Sequence, residues 1–338
     1  MPSGVALMSD VVLVTGGAGF IGSNVVAELV GGDRDVVVCD YLRTSAGGKW
    51  RNLSKQAIAD FIAPDALFGW LERRGGDVAA VVHMGAVSST REVDADLVIH
   101  TNFTLSRDLF DWCARREKQF VYASSAAVYG DGALGFDDDP SPEAMNVLRP
   151  LNPYGWSKLL FDAYAVRQAA RELAPPQWSG LRFFNVYGPN EYHKGSMRSV
   201  VAGIWPTVAA GETVQLFRSY RDDYSDGGQK RDFVYVRDAA KVAAWLVERP
   251  EVSGIFNVGS GNARTFHDLA LATFAAAGRD PRVVFIDMPD DLVGAYQYFT
   301  EAKLDRLTSI GYTTPFTTLE AGVADYVAGF LSRPDPYR

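Results

Sequence analysis

The strongest constraint on this chain is a β-branched run, Val11-Val12-Leu13-Val14-Thr15, that passes without a spacer into Gly16-Gly17-Ala18-Gly19-Phe20-Ile21-Gly22. Continuous rather than alternating apolarity describes a strand buried on both faces, which occurs in parallel sheets covered by helices. A strand emptying into a glycine-rich turn and then a helix aims the first helical N–H groups at an anion. Gly16 or Gly17 permits the tight turn, Gly19 lets the backbone approach a pyrophosphate, and Gly22 allows the helix to pack closely on the strand. The next apolar run, 35–40, ends in Asp40, near the ~20-residue spacing expected of a carboxylate that binds a ribose. Strand, turn, helix and distal acid together point to a bound dinucleotide.

Asp40 by itself selects NAD, because a carboxylate accepts from the ribose hydroxyls and repels a 2′-phosphate. Arg43, Lys49 and Arg51 follow within eleven residues and offer cations for that phosphate. In isolation three such cations read as a solvated loop, so residue chemistry leaves NAD and NADP open.

The same texture recurs along the chain. Apolar runs at 78–84, 119–125, 180–186 and 254–259 alternate with amphipathic stretches at 23–30, 97–117, 154–173 and 238–248, long enough for right-handed crossovers. The expected fold is α/β, a doubly wound parallel (Rossmann) sheet with a smaller C-terminal substrate domain. Residues 10–186 form mainly the dinucleotide-binding part. Residues 187–338 form mainly the substrate part, with helical segments at 197–210, 265–278 and 300–309, and the strand near 254–259 returns to the first sheet. The polar stretch 218–229 reads as a mobile surface loop.

Of 338 residues, 47% are hydrophobic and 22% charged, enough for a sizeable core. The net charge of −8 speaks against nucleic acid as a partner, since that affinity comes from Lys and Arg neutralising phosphates. Cys39 and Cys113 stand without a CxxC or a histidine at metal-site spacing, so neither a disulfide framework nor a metal site is expected. With no leader-like start and no apolar run long enough for a membrane, the expected location is cytoplasmic.

Chemistry enters with Asn152-Pro153-Tyr154-Gly155-Trp156-Ser157-Lys158. Proline starts a helix, and positions i and i+4 share a face, so the Tyr154 hydroxyl and the Lys158 ammonium meet one ligand. A neighbouring cation lowers a phenol from about 10 towards about 8, within reach of a general base near neutrality. The run 119–125 delivers Ser125 to a strand C-terminal end, where doubly wound folds place their crevice. There it is suited to a substrate hydroxyl, or to its own backbone. Arg231, read in isolation, pairs with Asp232 or Asp238. His83 and His193 read as hydrogen-bonded structural residues.

TGGAGFIG, ASSAAVYG and YGWSK, in this order and spacing, resemble the extended short-chain dehydrogenase/reductases, the NAD-dependent epimerase/dehydratase family. The resemblance implies Tyr154 as acid/base, Lys158 on the nicotinamide ribose, Ser125 assisting, Asn185 on substrate and Arg231 on its diphosphate. Within the family, HMGAVSSTRE at 83–92, HKGSM at 193–197, GIFNVGSGNARTF at 254–266 and GAYQYFT at 294–300 are similar to the ADP-L-glycero-D-manno-heptose 6-epimerase branch. That similarity implies NADP, an ADP-sugar substrate, a role in lipopolysaccharide core synthesis and a homo-oligomer, specifically a homopentamer. It adds Lys194 as a second acid/base group. It places Phe20, Ile21, Asp40, Tyr41, Lys49, Gly85, Ala86, Val87, Ser88, Asn102 and Val186 on the cofactor, and Asn185, Ser196, Phe217, Arg218, Ser219, Arg231 and Tyr296 on the substrate. Met84, Asn190-Glu191-Tyr192, Gly203 and the long 218–229 loop depart from the branch's pattern.

The implied reaction transfers a carbon-bound hydride to the cofactor, reorients the resulting carbonyl and returns the hydride to its other face. A 4,6-dehydratase needs an Asp-Glu pair after the active-site hydroxyl residue, where this chain has Ala126-Ala127. A UDP-hexose 4-epimerase is the nearest alternative. A cofactor-sensing regulator is disfavoured by the intact Tyr154 and Lys158.

Overall fold

The computed structural model describes residues 10–43, 48–289 and 297–338. Strand β1 (Val11–Thr15) is buried at every position and sits mid-sheet, hydrogen-bonded in parallel to β2 (Val36–Cys39) and β4 (Val78–His83). Further strands are β3 (Asp60–Ile62), β5 (Gln119–Ser125), β6 (Trp178–Phe183) and β10 (Gly254–Val258). Together they make a seven-stranded parallel sheet in the order β10-β6-β5-β4-β1-β2-β3, the expected doubly wound architecture. Side chains alternate along β1. Val12 and Val14 pack with Val25 and Leu29 of α1 (Phe20–Gly31) and with Ala240 and Leu246 of α8 (Val236–Val247). Val11 and Leu13 join, on the other face, Leu109 and Phe110 of α4 (Leu105–Arg115) and Phe161 of α6 (Pro153–Ala169). The chain leaves β1 in opposite directions for β2 and, later, β4, so the crevice opens between the loops that follow β1 and β4.

Several elements differ from the sequence reading. The run 180–186 is not one strand: the Phe184 N–H donates to the Val258 carbonyl at 3.0 Å, and the chain then leaves the large sheet. Its continuation β7 (Asn185–Tyr187) pairs with β9 (Lys230–Tyr235), which pairs with β11 (Ala263–Thr265), in a second sheet. Both pieces carry apolar side chains, so hydropathy sees no break. A third, two-stranded sheet joins β8 (Val214–Phe217) and β12 (Val283–Ile286).

The helix expected over 97–117 starts at Ala95 and widens into a π turn over His100–Thr104 before α4. That expected over 300–309 is confined to Asp305–Ser309. Residues 218–229 are not a free loop. The Ser219 N–H donates to Asp226 at 2.9 Å, and the Gln229 amide, itself buried, donates to the Arg218 carbonyl at 3.0 Å. Among the described residues no helix is long and apolar enough to cross a membrane, and no cluster of His, Cys, Asp and Glu is suited to a metal ion. Cys39 and Cys113 are buried free thiols.

Candidate active site

The glycine turn forms one wall of a hollow of about 390 Å³. Gly16 has φ of +65°, and a Cβ there would lie 2.5 Å from the Gly85 nitrogen. At Gly22 a Cβ would meet the Gly16 carbonyl oxygen at 2.2 Å. Both positions therefore exclude side chains, and Gly16 brings the loops after β1 and β4 into contact. Helix α1 starts at Gly19 without a side-chain cap and without an acidic residue in its first turn. Its opening N–H groups face the hollow with the positive end of the helix dipole. Gly16, Gly19, Phe20, Ile21, Gly22, Asp40, Lys49, Gly85, Ala86, Val87 and Ser88 all line the space, so the expected cofactor residues converge. A cradle of bare backbone, a helix N-terminus and a lysine fits an anionic dinucleotide.

Asp40 is more heavily engaged than its position in the sequence indicates. One carboxylate oxygen accepts from the Ala18 N–H at 2.9 Å, and the other accepts from the Tyr41 N–H at 2.7 Å and the Lys49 ammonium at 2.6 Å. Of the three nearby cations, Lys49 alone lines the hollow. Arg43 stacks on Tyr41 and Arg51 on Trp50 and Tyr337. Tyr41 is turned away, its hydroxyl donating to Asp65 at 2.6 Å. Asn102 lies outside the lining. From the π turn, its amide donates to the Val87 carbonyl and accepts from the Val87 N–H, at 2.9 and 2.8 Å, so it braces the 85–88 loop from behind.

A second hollow of about 490 Å³ shares Phe20, Met84, Ala86, Lys194 and Met197 with the first. Its walls include Ser125, Tyr154, Lys158, Asn185, Val186 and Arg231. Helix α6 positions the Tyr-Lys pair: Asn152 caps it by accepting from the Gly155 N–H, and Pro153 opens it. The Lys158 ammonium donates to the Ala123 carbonyl at 2.8 Å. Burial lowers it to about 8, opposed by the charge of Asp162 one turn on. Tyr154 departs from expectation. Burial raises its hydroxyl above the ordinary phenol value, the hydrogen bond with Ser125 pulls the other way, and Lys158 sits 6.0 Å from its ring centroid. Desolvation thus outweighs the hydrogen bond from Ser125, and the raised direction is the opposite of the acidification expected from the i, i+4 spacing.

Lys194 stands on a 3-10 turn, Tyr192–Met197, with its ammonium 5.4 Å over the Phe20 ring. Burial lowers its proton affinity and the buried carboxylate of Glu191 opposes this. Arg231, nearly buried on β9, lies 5.6 Å over the Phe266 ring and donates to the Lys230 carbonyl. Tyr154, Lys158, Ser125 and Lys194 are thereby gathered from three chain segments around one space.

The other expected substrate residues are not gathered. Ser196 is exposed and outside the lining. Phe217 lines a separate small hollow with Gln229 and Phe266. Arg218 pairs with Asp287 at the surface at 3.2 Å, and Ser219 is engaged with Asp226 and Arg221. Tyr296 lies outside the described residues. The structure adds Met84, His193, Met197 and Arg198 to the walls. His193, Met197 and Arg198 lie within four residues of Lys194, and that proximity was the available signal.

Residues 12–259 match the sequence model of the NAD dependent epimerase/dehydratase family. The chain is 45% identical over 335 residues to an ADP-L-glycero-D-manno-heptose-6-epimerase from Fusobacterium nucleatum, covering 96% of this chain and 99% of the relative. It is 48% identical to one from Nitratidesulfovibrio vulgaris, with the same coverage. Among solved structures, the Helicobacter pylori ADP-L-glycero-D-manno-heptose-6-epimerase superposes with a TM-score of 0.77 at 29% identity, covering 96% of this chain and 97% of that one. A Thermus thermophilus UDP-glucose 4-epimerase in complex with NAD gives 0.71 at 27% identity, with 94% and 98% covered. With these relatives and the glycine cradle, serine, tyrosine and lysine in register, the chain belongs to the NAD-dependent epimerase/dehydratase family.

Proposed function

We propose that this protein interconverts ADP-D-glycero-β-D-manno-heptose and its L-glycero epimer at C6. The observation that carries the reading is the convergence of two half-buried acid/base groups, Tyr154 from α6 and Lys194 from the turn after β7, on one hollow that adjoins the dinucleotide cradle. The glycine cradle and Lys158 would hold a nicotinamide dinucleotide, which would supply reversible hydride transfer at the sugar carbon. The protein's part is proton traffic. As the C–H bond breaks, one group takes the hydroxyl proton. After the carbonyl has turned over, its oxygen lies elsewhere and the other group returns a proton to it. Ser125 holds the Tyr154 hydroxyl, and Arg231 meets the diphosphate of the ADP-sugar with a planar fork of donors. The names of the relatives at 45% and 48% identity support heptose over hexose.

NADP is the proposed cofactor over NAD. An Asp40 whose oxygens already accept from Ala18, Tyr41 and Lys49 has less capacity for a ribose diol, and the Lys49 ammonium supplies charge for a 2′-phosphate. The test is to incubate the protein with the D-glycero sugar nucleotide, without added cofactor, and to resolve the C6 epimers. Approach to one mixed equilibrium from either epimer is expected. Inactivity alongside turnover of UDP-galactose would move the reading to the 4-epimerases.

A further inference from the structure

The turn carrying Lys194 is tied down by a segment far away in sequence. Asn190, at its base, is fully buried and has φ of +76°, a left-handed conformation that asparagine tolerates better than most non-glycine residues. Its amide donates to the Ser23 hydroxyl of α1 at 3.0 Å, and its carbonyl accepts from the Asn52 amide at 3.0 Å. Asn52 belongs to the short 3-10 helix Lys49–Leu53 that also carries Lys49, and it donates to the Ala18 carbonyl of the glycine turn at 2.8 Å. Residues 335–338 cover this junction. The Arg338 N–H donates to the Asn190 side-chain oxygen at 3.0 Å, and its guanidinium reaches the Asn24 side-chain oxygen at 3.1 Å and pairs with Glu28, both on α1. The Tyr192 hydroxyl donates to the Pro336 carbonyl at 2.8 Å and its ring meets Tyr337 edge-on at 5.2 Å. Lys55 closes the other side by donating to the Tyr337 carbonyl at 2.6 Å and pairing with Asp335 at 2.9 Å.

We infer that residues 335–338 are a clasp, with Asn190, Tyr192 and Arg338 as positioning residues, that holds the Lys194 turn against α1 and the Lys49 helix. The glycine cradle, the phosphate-side lysine and the second acid/base group then share one rigid junction. None of the three residues lines either hollow, so the clasp acts through Lys194 and does not touch substrate. Contact of Lys194 with Phe20 and its burial depend on the turn staying seated. Without the clasp the turn opens, water reaches the ammonium, and the lysine regains ordinary reactivity.

The inference rests on the proposed role of Lys194, and its test is chosen to fail separately. The full chain is compared with Tyr192→Phe, which loses the bond to Pro336 and the one shared with Tyr326, and with Arg338→Ala, which loses the bonds to Asn24 and Glu28. Time-resolved reductive methylation, read by mass spectrometry, reports the reactivity of Lys194 with Lys158 as an internal control. Loss of even one net hydrogen bond allows about a tenfold rise in the open population. Lys194 should label at least about tenfold faster in each variant with Lys158 unchanged, and epimerase kcat should fall severalfold with substrate KM little changed. Unchanged Lys194 labelling in both variants overturns the clasp, as does an equal rise at Lys158, which would mean general loosening. If Arg338→Ala does not fold, Tyr192→Phe decides alone. Faster labelling with full turnover would keep the clasp and instead remove Lys194 from the chemistry.

Discussion

Replacing Asp162 by Asn should expose how the floor of the site is built. Asp162 and Arg182 are both fully buried, joined at 2.9 Å, and the Asp162 carboxylate also accepts from the Tyr122 hydroxyl at 2.9 Å and the Ser124 hydroxyl at 3.0 Å. Arg182 in turn donates to the Tyr129 hydroxyl at 3.0 Å, which donates to Asn257 at 2.6 Å. The amide of Asn keeps the shape and loses the charge, stranding a guanidinium where water cannot reach it. Breaking a buried pair from one side costs about 3–5 kcal/mol, on the order of 10 °C in a chain of this size. Urea unfolding with an unchanged m-value measures it. The double variant Asp162→Asn/Arg182→Met removes the stranded charge and should regain at least half of the loss. A single variant within about 1 kcal/mol of the parent, or a double no better than the single, would refute the view that each member of this pair offsets the other's desolvation. Asp162 also supports the charge on Lys158, so the single variant should deprotonate Lys158 below its present value of about 8 and weaken nucleotide binding earlier as pH rises.

Four further outcomes are expected. Tyr154→Phe and Lys194→Met should each lower kcat by about two orders of magnitude or more, a usual general acid–base contribution; a raised KM with near-normal turnover in Lys194→Met would make that lysine a binding residue. Gly22→Ala should abolish retention of the dinucleotide, read by nucleotide absorbance after gel filtration, because its Cβ would collide with the Gly16 carbonyl at 2.2 Å; wild-type retention would contradict that geometry. Denaturing the purified protein should release NADP, and NAD as the dominant species would reverse the assignment built on Asp40 and Lys49. His83, fully buried between the Thr15 and Ser106 hydroxyls, is lowered to about 3 by burial and then by Lys158. The unfolded chain therefore binds this proton first, so the stability His83 confers is complete above about pH 6.5 and drains away as pH falls towards 3. His83→Gln should flatten that acid limb in urea titrations between pH 7 and 5.

Features set by neighbours in sequence were readable without a fold. The glycine turn follows from backbone stereochemistry over eight residues, the Tyr154–Lys158 face from helical repeat, and the parallel sheet from apolar continuity along β1, β4 and β5. Lys194 and Arg231 came from resemblance, and nothing in their local pattern distinguishes them from surface cations. What lay beyond reach depends on groups distant in the chain. Asp40 looks free for a ribose until folding brings Lys49 and the Ala18 N–H onto it. Asn102 looks like a cofactor contact until a π turn points it at Val87. Phe184 looks like mid-strand until Val258 takes its N–H. Tyr154 was expected to be acidified by its lysine, yet the depth of burial reverses the sign. In each case the groups present and their local geometry could be read along the chain. Which lone pairs and protons were already spoken for emerged with folding, because hydrogen bonding and desolvation are properties of the packed interior and not of the chain's local pattern.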